Sequence, residues 1–592
     1  MSPVAPDTVG YVDATLRDLA PAPWGTAVGA DDLAAVAAAL GTVGARVLEA
    51  MDARCAQVAI EARAESPWDR LRAVLREAGK TPVGIVAGGR TLWGERPLAA
   101  DVVRRFVLTA HDSGVGRIRG TDPLNDPDAL LALAQACVEA GVPFVPTLIL
   151  GPYPPSVDTR WAEEARALAA LPGAVALCVS DGAGHVSPSA LAGLVREVGQ
   201  DTGLPVEVQV QAPGGLSPLA ATAAVAAGAG AVQASAGPVA LVSARPSAET
   251  LRAALLGGAR VLACDAAELD RAARVVGPML PADRLRQAAA AVFGPAVAVP
   301  PAMEHGLIAR LGRLGLSRNL VAVAEESAAV AREVGGATLA HPLGGAVLAQ
   351  AARHVVDGRR WAEIEPELVP VALGRSGRLR GPVADEVLAA ATAADQGDGT
   401  PRDLAAVASE APEGISEEDL VLWAMYPEPA ADLVERRRSL GAEAARRPGR
   451  PTIDRDLLDQ LVGAVEAGDE TEISVEVAGA RVTVRRAAPV VPIEGAGTAE
   501  PGVPTAADDG VVRVLSPMVG TFYRRPSPDD PPFVEEGARV EAGDTLCLIE
   551  AMKLFNEIVA EQPGIVRQVL LEDSAPAEFG QLLFVIEPLA GS

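Results

Sequence analysis

Aromatic residues make up only 3% of this 592-residue chain, so alanine and valine must do most of the packing. Positive charge is also scarce. The 51 Lys and Arg against 77 Asp and Glu leave a formal charge of −26. Such an excess argues against a nucleic-acid or anionic-membrane partner and fits a soluble, cytoplasmic protein. No stretch is long and apolar enough to span a bilayer. The N-terminus, MSPVAPDTVGYVDATLRD, has neither the basic start nor the apolar run of a signal peptide. The five cysteines, Cys55, Cys137, Cys178, Cys264 and Cys547, are scattered without C-x-x-C spacing. That excludes a structural zinc motif and a disulfide framework, and leaves buried free thiols in a reducing compartment.

The length calls for several domains. Residues 1–295 alternate short apolar runs with alanine-rich amphipathic stretches. The runs are YVDATL (11–16), RVLEAM (46–51), VGIVAGG (83–89), RIRGT (117–121), FVPTLIL (144–150), AVALCVS (174–180), VEVQVQA (206–212) and AVQASAG (231–237). Eight strands alternating with helices predict a (β/α)8 TIM barrel. Residues 296–445 read as a mostly helical domain. Residues 446–510 open on the hinge-like RRPGRP, continue through a short helix (DLLDQLVGAVEAG) and a hairpin-like pair (EISVEVAGARVTVRR), and end in an Ala/Pro/Gly/Val linker. Residues 511–592 are short β-runs broken by glycines and predict a small all-β barrel.

The most specific motif is EAMKLFNEI, Glu550 to Ile558, between the β-runs DTLCLIE and NEIVA. This placement puts Lys553 at a hairpin tip. A carrier lysine needs such exposure, because a ligase must first acylate it and the finished arm must then reach two active sites in turn. An isolated A-M-K would read as an ordinary surface lysine. Here SPMVGTF (516–522) and AEQPGIV (560–566) flank the tip as half-repeats, and the carrier reading prevails.

Residues 450–590 resemble the biotin carboxyl carrier protein of bacterial acetyl-CoA carboxylase. The insert TFYRRPSPDDPPFVEEG looks like that family's thumb. The resemblance implies biotin attached covalently to Lys553, with Glu550, Ala551 and Met552 forming the recognition sequence for biotin ligase. Lipoyl domains share the fold, but their tip usually reads D-K-A, and Met552 in the acidic position favours biotin.

The barrel tells a different story. DATLRD (13–18), SPWDRLR (66–72), PLNDP (123–127), SDGAGHVSP (180–188) and PGGLSP (213–218) resemble the carboxyltransferase domain of pyruvate carboxylase, the oxaloacetate decarboxylase α subunit and transcarboxylase. The likeness continues through PPAMEHGLIARL (300–311) and EEDLVLWAMYPEPAADLVERR (417–437). It implies a divalent ion held by an aspartate, a carbamylated lysine and two histidines. Only the aspartate survives, as Asp18. Ser180 stands in the lysine position, and Gln209 and Gln211 in the histidine positions. One charged ligand of four should hold no catalytic metal. The expected glutamine is Pro21, the carboxylate-clamping arginine is Gly88, and the threonine near biotin is Ser243. Arg90, two residues from Gly88, is a candidate relocated clamp, and His185 a candidate acid or base. For each the plainer reading is a solvated arginine and a satisfied loop histidine.

Two functional expectations follow. In the first, the chain is the carboxyl carrier subunit of an acyl-CoA carboxylase, acetyl-CoA carboxylase above all, serving fatty acid biosynthesis. Its barrel is then a pseudoenzyme that acts as a scaffold. Its partners would be a separate biotin carboxylase subunit, acyl-CoA carboxyltransferase subunits and biotin ligase, within an oligomer. In the second, the barrel still transfers carboxyl groups without metal, using Ser243, Asp18, Arg90 or His185. The barrel mouth discriminates between them: a filled or apolar mouth fits a scaffold, and a polar pocket with a cationic clamp fits an enzyme.

Overall fold

The computed structural model describes residues 7–19, 28–151, 160–212, 215–280, 307, 311, 319–395, 401–427, 429–431, 433, 472–477, 480–485, 512–515, 520–525, 531–541, 544–551, 554–560, 562–571, 575–577 and 582–588. They fall into two compact units, residues 1–450 and 451–592.

The first unit holds all eight expected strands. They are β1 (Asp7–Asp13), β2 (Val47–Met51), β3 (Val83–Gly88), β4 (Arg117–Thr121), β5 (Phe144–Ile149), β6 (Leu177–Asp181), β7 (Val206–Val210) and β8 (Ala231–Ala234). All neighbours run parallel, and β1 pairs with both β8 and β2, so the sheet closes on itself into a TIM barrel. A ninth strand that the sequence did not announce, β9 (Arg260–Leu262), adds to the start of β1. The expected helical character after the barrel appears in Leu320–Glu333, Leu343–Asp357, Asp385–Ala394, Leu404–Glu410 and Glu417–Met425.

With few aromatic rings to spend, the chain clusters three at one place. Trp68, Trp93 and Phe106 stack with centroids 4.7–5.4 Å apart. The segment 417–426 packs there. Met425 Sδ accepts from the Trp93 amide at 3.3 Å, the Tyr426 hydroxyl donates to the Trp93 carbonyl, and Arg72 pairs with Glu418 at 2.8 Å.

The barrel axis is charged. On β2, Glu49 is 1% exposed and accepts from Arg17 at 2.6 Å, Arg119 at 2.8 Å and Arg117 at 3.0 Å. Arg117 also grips Glu207 of β7 at 2.7 Å. Burial works to raise the Glu49 pKa, but the three guanidiniums outweigh it and hold the carboxyl well below its ordinary range. One carboxylate thus ties β2 to β4 and to the short helix after β1, Thr15–Leu19.

In the second unit, β10 (Glu472–Val477) and β11 (Ala480–Arg485) form the expected antiparallel hairpin. The helix expected at DLLDQLVGAVEAG and the Ala/Pro linker lie outside the described residues. Eight strands follow. The first four are β12 (Val512–Leu515), β13 (Gly520–Tyr523), β14 (Arg539–Val540) and β15 (Thr545–Ala551). The last four are β16 (Leu554–Val559), β17 (Gly564–Val569), β18 (Ala575–Ala577) and β19 (Leu582–Pro588). They make two sheets, β12-β19-β17-β14 and β16-β15-β13-β18. Exchanging the first four strands for the last four, in order, turns one sheet into the other. The half-repeats in the sequence are therefore a structural two-fold, and its midpoint falls between Ala551 and Leu554. Phe522 and Phe584, one from each half, meet at 5.9 Å in the core. Gly564 is fixed by crowding, since a Cβ there would lie 2.4 Å from Ile586 Cγ2.

Replacing Glu49 with Gln should leave three buried guanidiniums undercompensated, which typically costs about 3–5 kcal/mol. All six tryptophans lie within residues 1–450, so urea unfolding followed by tryptophan fluorescence reads this unit alone. The folded pKa of Glu49 lies below the unfolded value of about 4.3. Its contribution is therefore present above that pH and lost as pH falls, and the gap between wild type and Glu49→Gln should narrow in acid. An unchanged midpoint at neutral pH would contradict the role given to Glu49.

Candidate functional site

The C-terminal ends of the barrel strands enclose a cavity of about 210 Å³, roofed by Leu339, Ala340 and His341. The mouth is neither filled nor apolar. Four arginines (Arg17, Arg54, Arg119 and Arg245) and two aspartates (Asp18 and Asp52) line it. Arg17 and Arg119 rise from the Glu49 cluster, so the ion network of the axis is also the floor of the cavity.

Several of the segments that resemble carboxyltransferases form loops that follow the barrel strands at this end. In SDGAGH, the Asp181 carboxylate accepts from the amides of Ala183, His185 and Val186 at 2.9–3.3 Å, folding the loop that presents His185. Just ahead of PLNDP, Asp122 accepts from the amides of Leu124 and Asp126, and within it Asn125 exchanges two hydrogen bonds with the backbone of Ile149. In PGGLSP, Ser217 Oγ accepts from the Ala212 amide at 2.8 Å. These side chains cap the loops from beneath.

The four positions that correspond to a metal site come together in the cavity wall: Asp18, Ser180, Gln209 and Gln211. Their chemistry does not fit a divalent ion. Asp18 Oδ2 already accepts from Arg245 Nε and from Ser235 Oγ, both at 2.7 Å. Gln211 Nε2 donates to the Ser243 carbonyl at 3.0 Å, and Gln209 Nε2 donates to Gln211 Oε1 at 3.3 Å. A carbonyl can only accept, so the Ser243 oxygen fixes the direction of both amides. At the far end, Gln209 Oε1 is left buried without a partner. Among the described residues, no group of three or more His, Cys, Asp or Glu is placed to hold a metal.

Of the other candidates, Ser243 and His185 line the same cavity as Asp18. The Ser243 hydroxyl donates to the Val239 carbonyl at 3.0 Å. Burial pushes the His185 pKa down, against the opposing pull of Asp181, which leaves a neutral imidazole at pH 7. Arg90 is not with them. It lines a separate cavity of about 310 Å³ and lies 3.6 Å from Asp126. Nor does Gly88 leave room for a clamp, because a Cβ there would stand 2.5 Å from Thr91 Oγ1. Pro21 lies outside the described residues. Sequence reasoning missed Arg17, Arg119, Arg245 and His341. The alternation of arginines inside the buried run RIRGT was a readable signal for Arg119. Nothing local marked Arg245, which lies only two residues past Ser243.

In the second unit, Glu550 and Ala551 end β15, which pairs with β16 as Glu550↔Phe555 and Ala551↔Leu554. Only two residues separate the paired ends. Those two, Met552 and Lys553, lie outside the described residues. At the root of the expected thumb, the Phe533 amide donates to the Arg524 carbonyl at 2.8 Å and Val534 enters the core.

Residues 512–586 match the family described as biotin-requiring enzyme. The chain is 37% identical over 150 residues to the biotin carboxyl carrier protein of acetyl-CoA carboxylase from Haemophilus influenzae. That alignment covers 22% of this chain and 97% of the relative. It is 26% identical over 568 residues to a pyruvate carboxylase subunit from Methanocaldococcus jannaschii, covering 92% of this chain and 94% of the relative. Its fold is shared with the complete multifunctional pyruvate carboxylase from Rhizobium etli, at 21% identity and a TM-score of 0.64. That match covers 72% of this chain, which spans 45% of the other.

The donor set predicts that the purified full-length chain carries no stoichiometric zinc, manganese or cobalt by elemental analysis. One equivalent of metal that disappears in Asp18→Ala would contradict this. A second expectation concerns Gly88. Gly88→Ala should lower the thermal midpoint, and removing the Thr91 hydroxyl in Gly88→Ala/Thr91→Ala should recover most of the loss. Equal midpoints for the single and double variants would show that the contact with Thr91 is not what excludes a side chain there.

Proposed function

We propose that this chain, which belongs to the biotin-dependent carboxylases, carries biotin on Lys553 and delivers carboxyl groups to an acyl-CoA carboxyltransferase, with acetyl-CoA the first candidate acceptor. The observation that carries the reading is the strand register at the midpoint of the two-fold. Ala551 faces Leu554 and leaves Met552 and Lys553 as the whole connection. The close relationship to an acetyl-CoA carboxylase carrier across nearly all of its length supports the choice of acceptor. Biotin supplies a ureido nitrogen that can hold and release a carboxyl group. The protein supplies the rest. A connection of only two residues between β15 and β16 fits a lysine offered to a ligase and to two active sites. The Ala/Pro-rich composition of residues 488–510 is that expected of a tether, which would give the carrier a high effective concentration at successive sites. A biotin carboxylase subunit is the partner that would load it, and Glu550, Ala551 and Met552 are the sequence that biotin ligase would recognise.

The open, arginine-lined mouth favours a second reading for the barrel itself, carboxyl transfer without metal, over a passive scaffold. Asp18, Ser243 and His185 remain its candidates because they share one cavity. Arg90 does not share it. The whole-length likeness to a pyruvate carboxylase subunit is the wider support for this reading.

Lys553→Arg decides the central point. The wild-type chain, produced in a biotin-replete host, should show the mass of one attached biotin and bind avidin. The variant should show neither. Avidin binding by the variant would place the cofactor elsewhere.

A further inference from the structure

Arg245 occupies an unusual position for an arginine. Its side chain is 3% exposed, and its Nε is seated on Asp18 at 2.7 Å. Nη1 reaches Gln233 Oε1 at 3.4 Å. Nη2 makes no hydrogen bond among the described residues, and Arg245 lines the cavity. A buried carboxylate needs a compensating cation. In the family that the barrel resembles, the aspartate at this place faces a metal ion. In this chain the same carboxylate faces a guanidinium.

We propose that Arg245, held by Asp18, supplies the positive charge of the barrel mouth in place of a divalent ion, so that the cavity binds a small carboxylate bearing an N–H or O–H donor without any metal. This deepens the second reading of the barrel and rests on it. The anion goes to Arg245 Nη2, with Arg119 beside it. Arg119 has its Nε and Nη2 committed to Glu49, and its Nη1 makes two long contacts, with Thr147 Oγ1 at 3.4 Å and Cys178 Sγ at 4.0 Å. The donor goes to Gln209 Oε1, the one acceptor that the Gln209–Gln211–Ser243 relay leaves unmet. A guanidinium binds a planar carboxylate through directed N–H groups. It needs no open coordination position, which suits a site with one aspartate and neutral amides. A keto acid with a methyl group where the donor should be leaves the Gln209 oxygen unpaired, and a site built around a buried acceptor rejects such a ligand.

Oxamate and pyruvate make the test, since they differ by an amide NH2 against a methyl. Full-length protein freed of metal with EDTA is titrated calorimetrically with each. Oxamate should bind saturably, with a Kd that changes less than about twofold when manganese or zinc is returned. Pyruvate should bind at least about fivefold more weakly, as expected for one hydrogen bond to a buried acceptor. Arg245→Gln should weaken oxamate by about tenfold or more. Because that variant strands Asp18, the charge-neutral Asp18→Asn/Arg245→Gln pair is measured alongside, and it should lose binding while unfolding as cooperatively as wild type. Oxamate binding that appears only with added metal, that persists in the folded double variant, or that does not exceed pyruvate binding would overturn the proposal, as would no binding at all. The biotin mass on Lys553, read from the same samples, is independent of every one of these outcomes.

Discussion

The structure turns on one carboxylate. Glu49 sits in the barrel axis with three arginines around it, and almost no water reaches it. An apolar axis would have been easier to fill. A buried charge cluster is retained only where every member is matched, because any unpaired member costs several kcal/mol. Here the cluster does more than join strands. Two of its arginines, Arg17 and Arg119, continue upward as the floor of the mouth, so the interaction that closes the barrel also sets the charge of the cavity.

The relation between the mouth and the carboxyltransferases it resembles becomes orderly once structure is separated from lining. Asp181, Asn125 and Ser217 belong to the segments that carry the resemblance, with Asp122 just ahead of one, and each hydrogen-bonds nearby backbone. Ser180, Gln209, Gln211 and Gly88, where the resemblance leads one to expect other residues, line the cavity together with Asp18. The loops are held by hydrogen bonds to backbone, while the inner surface is lined by Arg, Asp, Gln and Ser side chains. Asp18, the one carboxylate among the four positions, is paired with a buried arginine, Arg245.

Much of the fold was legible in the sequence. The eight barrel strands fall where the apolar runs fall, because parallel strands buried on both faces are rich in apolar residues, even with Glu49, Arg117, Arg119 and Glu207 charged at the axis. The half-repeats around EAMK announced the two-fold of the carrier. What escaped was set by contacts distant in the chain. β9 is three residues long and exists only because β1 offers it an edge. Arg245 finds Asp18 across 227 positions, and no local pattern encodes that meeting. Arg90 looked like a relocated clamp because it lies two residues from Gly88. The backbone turns at Gly88, where it pairs with Leu92, and alternation along a strand no longer applies.

The central claim is that the chain carries carboxyl groups on Lys553 and no longer hands them to a keto acid. The most direct measurement supplies purified chain with a bacterial biotin carboxylase, ATP and labelled bicarbonate, and follows the label on the protein and on added pyruvate. Ketoacid transfer needs a developing enolate stabilised, and loss of that stabilisation typically costs roughly a thousandfold in rate. The account predicts label that accumulates on the protein, is absent from pyruvate, and leaves when an acyl-CoA carboxyltransferase and its acyl-CoA are added. Labelled oxaloacetate formed with no added transferase would contradict it.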